Sequence, residues 1–476
     1  MRPNLDPLPH DPERPTVSKP AFLGQVSRRS FLRATGLAAA GAASASLVRG
    51  LPGSGMLPRA VAAPIDYKPN VVIHLAATDG FIYIPGHVET AVGSALLPDP
   101  LAPAPLTTYA FGFRNVTSLG TTQIQAQRGQ TQASAPMLFV DELDNIQINL
   151  TNLGLSVRPD LTDSHTIHWH GFRNAIPLFD GVPEMSIAVP IGREFPYFYH
   201  PHDAGTYMYH CHFEDVEHVS MGMTGIVFVR AAQNRTGNVA GAPKARLPIY
   251  GGPASAPMGY AYNDGVLETD VRSTAYDREW GIFLSEMWAQ ERFNDAHIQE
   301  NDWSDYEPDA WLMNGRSYPD TIEPSGGGVD LGTGDLIAPA GRPDLQWQPI
   351  STLINVNAGD RVLLRFVTLG YRQAAMTIDG ITMRVVGKDA TYLSGRDGTD
   401  TSYATYSVYI GPGESTDAIF KAPATAKTGT DYDTYLLYNR NFANMNNPGL
   451  SGLGGQVTEI RVYEAGHLPA QAEPNT

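Results

Sequence analysis

Cysteine is almost absent from this chain: among 476 residues there is one, Cys211. A lone thiol cannot close a disulfide within the chain, so the cysteine scaffold of many exported proteins is excluded. Cys211 is therefore either an inert buried residue or a chemical group. Positive charge is also scarce. Lys and Arg number 33 against 49 Asp and Glu, for a net charge of −16. An acidic body repels phosphate backbones, which excludes nucleic acid as a partner and suits neutral or cationic small molecules. Long apolar runs are missing too. The best one, residues 34–48, is too short to span a bilayer comfortably, so no stable membrane anchor is expected. Nor does any long amphipathic helical pattern follow it. Glycine (47) and proline (37) are plentiful instead. Both break helices and populate turns, which points to an all-β fold.

The first 62 residues read as a leader. Arg28 and Arg29 precede the short apolar stretch, a pattern that resembles a twin-arginine (Tat) export signal. Small residues at 60–62 offer a cleavage site. Export to the periplasm or the extracellular space is the expectation. Two domains are expected after the leader, over residues 63–232 and 245–465, separated by the Ala-, Gly- and Asn-rich stretch 231–245. Strand patterns recur in both. Residues 146–150 alternate apolar and polar, and residues 362–367 read as a strand buried on both faces. Residues 144–152 and 359–367 echo each other as a turn followed by a strand. Residues 293–311 read as a short helix or a long loop. Many short strands between turn signals suggest β-sandwiches.

Histidine is unevenly placed. Ten of 13 lie between His74 and His218, and only His297 and His467 follow. Metal chemistry, if present, therefore belongs to the first domain. His165, His168 and His170 form one cluster, and His200 and His202 a second. The third is His210-Cys211-His212, continuing to His218 and Met223. A thiolate with two imidazoles and a weak axial thioether makes a blue-copper electron-transfer site. Cys211, His218 and Met223 lie on one closing loop, with Met221 as the rival thioether, and His165 supplies a distant imidazole. On a strand, residues i and i+2 share a face. His168 and His170 then point together, and His210 and His212 point together, opposite to Cys211. Zinc is the usual alternative for histidine clusters, but the thiolate and thioether favour copper. His200 and His202 read as loop residues, and His74 and His87 as structural or surface residues. Asp180 and Glu184 either orient a histidine or serve a turn. Glu214, Asp215 and Glu217 are either a solvated loop or a guide for a cationic donor.

The segments HTIHWHG (165–171) and YHCHFEDVEHVSMGM (209–223) resemble the signatures of the multicopper oxidase family. Residues 135–137, 179–184, 205–209, 313–319 and 411–414 resemble it as well. The resemblance implies two cupredoxin-like Greek-key β-sandwich domains, the second without copper ligands. It implies His165, Cys211, His218 and Met223 as type 1 copper ligands. It further implies type 2/type 3 copper at His168, His170, His210 and His212, which with Cys211 would be the catalytic residues. A small-molecule or metal-ion electron donor and O2 as acceptor follow, with a homo-oligomer left open.

Two departures stand out. The interval from Cys211 to His218 is two residues longer than the commonest oxidase form. The family's oxygen site takes eight imidazoles from two domains, and this chain offers four; the place for a second-domain pair, residues 374–380, holds no histidine. Two alternatives therefore stay open. One is a blue-copper electron carrier or copper-handling protein. The other is a trimer of nitrite reductase type, in which a neighbouring subunit's second domain would have to supply a histidine, His297 being the one candidate.

Overall fold

The computed structural model describes residues 68–84, 99–236, 259–447 and 450–476. The leader with its cleavage site, His87, and most of the expected domain boundary lie outside the described residues.

Hydrophobic alternation builds the first half. In strand β4 (Ile146–Asn152), Ile146, Ile148 and Leu150 are fully buried while Gln147 and Asn149 are half-buried. This strand pairs in parallel with β1 (Val71–Tyr83) and antiparallel with β6 (Glu194–Tyr199); β2 (Thr107–Asn115) completes the sheet beside β1. A second sheet has the order β3-β8-β7-β5, from β3 (Leu138–Asp141), β5 (His168–His170), β7 (Gly205–His210) and β8 (Thr224–Arg230). Residues of both sheets share one core that contains Cys211 and Trp169.

The second half repeats this plan. After a small ribbon of β9 (Gly259–Tyr260) and β10 (Ala275–Tyr276) comes a sheet with order β12-β11-β14-β20-β16-β17, with β18 also on β16. Its strands are β11 (Arg278–Met287), β12 (Ala310–Met313), β14 (Arg361–Thr368), β16 (Met383–Lys388), β17 (Thr391–Tyr392), β18 (Tyr403–Thr405) and β20 (Ser415–Lys421). The other sheet has the order β13-β22-β21-β15-β19, from β13 (Ile354–Asn357), β15 (Ala374–Ile378), β19 (Ser407–Ile410), β21 (Asp433–Asn439) and β22 (Val457–Tyr463). A separate core fills this half. The echo seen in the sequence has a structural counterpart. β4 and β14 each lie between a parallel neighbour (β1, β11) and an antiparallel one (β6, β20).

Helices are few and short: α1 (Thr121–Ala126), α2 (Asp215–Met221), α3 (Gln233–Thr236) and α4 (Ala289–Ala296). None among the described residues is long and apolar enough to cross a membrane. The stretch 293–311 contains the end of α4, a short 3-10 turn at Trp303–Asp305 and the start of β12. The described residues belong to one compact unit.

One buried acid makes stability depend on pH. Glu286 on β11 accepts hydrogen bonds from the Tyr306 hydroxyl (3.1 Å) and the Tyr371 N–H, yet burial outweighs both and pushes its pKa up to about 7. A carboxyl held up in the folded state binds its proton more tightly there than in the unfolded chain. Its stabilisation is full below the unfolded value of 4.5 and is lost as pH rises through about 7. We expect roughly 3 kcal/mol of stability to disappear across that window from this group. Glu286→Gln should flatten that part of the profile in denaturant titrations run at several pH values.

Candidate metal centre

The strand alternation of residues 168–170 sends His168 and His170 to one face and Trp169 into the core, where it stacks on Tyr199 at 4.5 Å. Opposite this strand, β7 places His210 directly across from His168. The rings of His168, His170, His210 and His212 gather at 5.0–5.9 Å between neighbouring centroids. One nitrogen each from His168, His170 and His210 lies within 4.8 Å of the others.

Backbone groups select which nitrogens face inward. His168 Nδ1 donates to the Asp180 carbonyl at 2.7 Å, and His210 Nδ1 donates to the Cys211 carbonyl at 2.8 Å. Each ring then presents Nε2, and the buried Nε2 of His210 has no hydrogen-bond partner. Burial lowers the pKa of His168, of His170 and, most strongly, of His210. All three are neutral at neutral pH, the form that binds a metal. Asp180 thus orients a histidine through its main chain. That turn needs Gly181, at φ +87°, because a Cβ there would lie 2.3 Å from the Ile167 oxygen. Glu184 is exposed.

Cys211 points the other way. Its Sγ lies 3.2 Å from His218 Nδ1 and 3.7 Å from His165 Nδ1, and all three residues are fully buried. The Thr166 N–H points at Sγ from 3.4 Å, and Thr166 Oγ1 accepts the His212 N–H at 2.8 Å, so one residue braces both sites. Burial holds His165 well below the usual imidazole range. Burial also pulls His218 down, but Cys211 and Asp163 outweigh it and push it up to about 10, so a metal binding there must displace a proton. His218 stands on α2 rather than on an extended loop. The Met223 N–H donates to the His218 carbonyl at 2.8 Å and the Cys211 N–H to the Met223 carbonyl at 3.0 Å. Met221 and Met223 are both buried in the core that holds Cys211.

The remaining histidines have other employment. His200 Nδ1 bonds the Asp144 carbonyl, and its ring contacts His202. His74 bonds Thr151 at 2.7 Å. His297 stacks on Phe293 and bonds Asp99 at 2.9 Å, and His467 stacks on Tyr463. Strand pairing shows what the second half holds in place of the histidine pairs. In the order and direction of their sheets, β15 corresponds to β5 and β21 to β7. Ile378 enters the second core opposite Leu437 as Trp169 enters the first opposite Tyr209, so Thr377 and Asp379, on the other face, stand where His168 and His170 do. Thr377 bonds Ser407 and Asp379 is exposed.

Sequence reasoning missed Thr166, although it sits inside the histidine motif, and Asp163, whose Oδ2 lies 3.7 Å from His218 Nε2. It also missed Glu291 and Arg292, which no local signal distinguishes.

A thiolate, two imidazoles and nearby thioethers match the donor preferences of copper, and the histidine cluster adds further nitrogen ligands. Two family models, both described as multicopper oxidase, match residues 113–234 and 278–455, one in each half. No curated protein matches. Among solved structures, the chain is similar to the blue copper oxidase from Nitrosomonas europaea, with TM-score 0.52 and 21% identity over 82% of this chain and 85% of that one. It is also similar to the multicopper oxidase mgLAC, with TM-score 0.51 and 21% identity over 84% and 87%. These likenesses concern the two-domain cupredoxin fold. The two family matches, together spanning more than half of the sequence, show that the chain belongs to the multicopper oxidase family and is a copper oxidoreductase.

Proposed function

We propose that the protein takes single electrons from a small reductant at a type 1 copper held by His165, Cys211, His218 and Met223. They then pass through Cys211 to copper at His168, His170, His210 and His212, with O2 as acceptor. One observation carries this reading. The Cys211 side chain faces His165 and His218, while its own main chain continues directly into His210 and His212. Bound copper would supply the one-electron couple at each place.

The chain's own residues supply the path and the surroundings. The Cys211 carbonyl accepts from His210 Nδ1, so a hydrogen bond runs beside the covalent route. Complete burial of Cys211, His165 and His218 excludes water, which limits reorganisation when charge changes. The Thr166 N–H, 3.4 Å from Sγ, helps hold the Cys211 side chain in place. At the outer edge of His218, carboxylate oxygens of Asp163 and exposed Glu214 lie within 4.8 Å of the ring nitrogen and of each other. They favour a cationic donor, such as a metal ion.

The test combines copper analysis, EPR and oxygen uptake on a phenol or a reduced metal ion. Two kinds of copper with uptake support the reading; one copper per chain without uptake sinks it. A second reading, an electron carrier or copper-handling protein, is favoured by Thr377 and Asp379 standing where a further histidine pair would be. Among the described residues, one chain does not provide eight imidazoles. In the alternative of a nitrite-reducing trimer, the candidate ligand His297 bonds Asp99 through Nε2 and stacks on Phe293. We also propose export by the twin-arginine route, which N-terminal sequencing of protein recovered outside the cytoplasm would test.

The axial ligand can be assigned by substitution. Met→Leu conserves core volume, so Met221→Leu and Met223→Leu should each cost less than about 1.5 kcal/mol of stability. Only loss of the axial thioether should move the copper potential. We expect that shift for Met223→Leu, since the Met223 backbone is bonded to both Cys211 and His218. A shift for Met221→Leu alone would reassign the ligand.

A further inference from the structure

The half without histidine pairs sends α4 across to the helix that carries His218. Helix α2 has seven residues, too few to be stable on its own in water. Its last four carbonyls have no partners within the helix. Each is accounted for. The His218 carbonyl accepts the Met223 N–H at 2.8 Å and the Val219 carbonyl accepts the Gly222 N–H at 3.1 Å. The other two are met from the second half: the guanidinium of Arg292 donates to the Ser220 carbonyl at 2.8 Å and to the Met221 carbonyl at 3.3 Å. It also donates to the Tyr109 carbonyl on β2 at 2.8 Å, which ties the helix to the first sheet.

Two more contacts come from the same half. The Ser220 hydroxyl donates to Glu291 Oε2 at 2.5 Å, and the Tyr371 hydroxyl donates to the Val216 carbonyl. Glu291 is fully buried and Arg292 nearly so. A buried guanidinium is costly unless its donors are used, and here both terminal nitrogens, though not Nε, donate to main-chain carbonyls, two of them at the negative end of a helix. The chain turns out of that helix at Gly222, whose φ of +124° and closeness to the Phe111 oxygen (2.8 Å from an added Cβ) leave no room for another residue. The position of His218 opposite Cys211 therefore depends on a helix fixed at its end by the other half.

We propose that the second half acts as the positioning element of the Cys211 site: Arg292, with Glu291 and Tyr371, fixes α2 and so sets the geometry and potential of copper bound at Cys211 and His218. The inference rests on the type 1 copper reading above. It gives the half without histidine pairs a role at the copper site. Loss of groups that orient metal ligands from outside typically costs about 10- to 100-fold in metal affinity or activity.

The experiment uses the full copper-loaded chain with Arg292→Met, Arg292→Lys, Ser220→Ala and Tyr371→Phe. The readouts are the Cu(II) hyperfine splitting in EPR, the thiolate-to-copper absorption band and the reduction potential. Arg292→Met should change the ratio of affinities for the two oxidation states at least tenfold, a potential shift of about 59 mV. Arg292→Lys should recover part of that shift, because an ammonium can still donate to one carbonyl. Ser220→Ala and Tyr371→Phe should each give smaller shifts. Wild-type spectra and potential in Arg292→Met, with only a lower melting temperature, would overturn the proposal. If that variant does not fold, unshifted values in both Ser220→Ala and Tyr371→Phe overturn it. A wild-type chain that takes up copper without the thiolate band sinks the copper reading itself, a distinct result.

Discussion

Cys211→Ser protein loaded with copper will lack the intense thiolate-to-copper absorption, and its turnover will fall more than about 100-fold. The floor comes from groups that merely orient ligands, whose loss already costs 10- to 100-fold. Removing the thiolate itself takes away both the soft donor that stabilises the reduced metal and the start of the path to His210 and His212. The serine is close in size, and the Phe213 carbonyl, 3.5 Å from Sγ, can accept its hydroxyl. The fold should therefore survive, and a circular dichroism spectrum would check it. An unchanged absorption band in the variant would mean that Cys211 holds no copper.

His168→Ala should separate the two sites. The Cys211 band should remain, because His168 lies on the opposite face of the His210–His212 segment and contacts neither Sγ nor His165 or His218 in the geometry above. Copper content should fall, and turnover with it, again by more than about 100-fold, because the cluster loses the ring held by Asp180. Metal analysis with steady-state kinetics reads both. Full turnover with the copper lost would remove the histidine cluster from the reaction and leave the electron-carrier reading.

Much of this site was legible in the sequence because its ligands obey local rules. The spacing of His168 and His170 puts both on one strand face, and Cys211 between two histidines must point away from them. The strand patterns at 146–150 and 362–367 were legible for the same reason, since burial on one face or two leaves different alternation. Residues 293–311 were ambiguous because α4 is short and packed by buried polar groups rather than by a clean apolar stripe. The two-residue excess between Cys211 and His218 could be counted but not interpreted, because a helix of seven residues leaves little periodic signal.

The amino-acid order by itself determined which side chains are candidate donors, the opposed faces of the Cys211 and histidine clusters, and the repeat of one strand plan in two halves. Those features follow from neighbours a few residues apart. Only the tertiary structure decided that Thr377 and Asp379 occupy the counterparts of His168 and His170, that Asp163 reaches the outer edge of His218, and that Arg292 closes the end of α2. Each joins residues far apart in the chain, and such contacts depend on how strands pair and cores close, which no local pattern encodes.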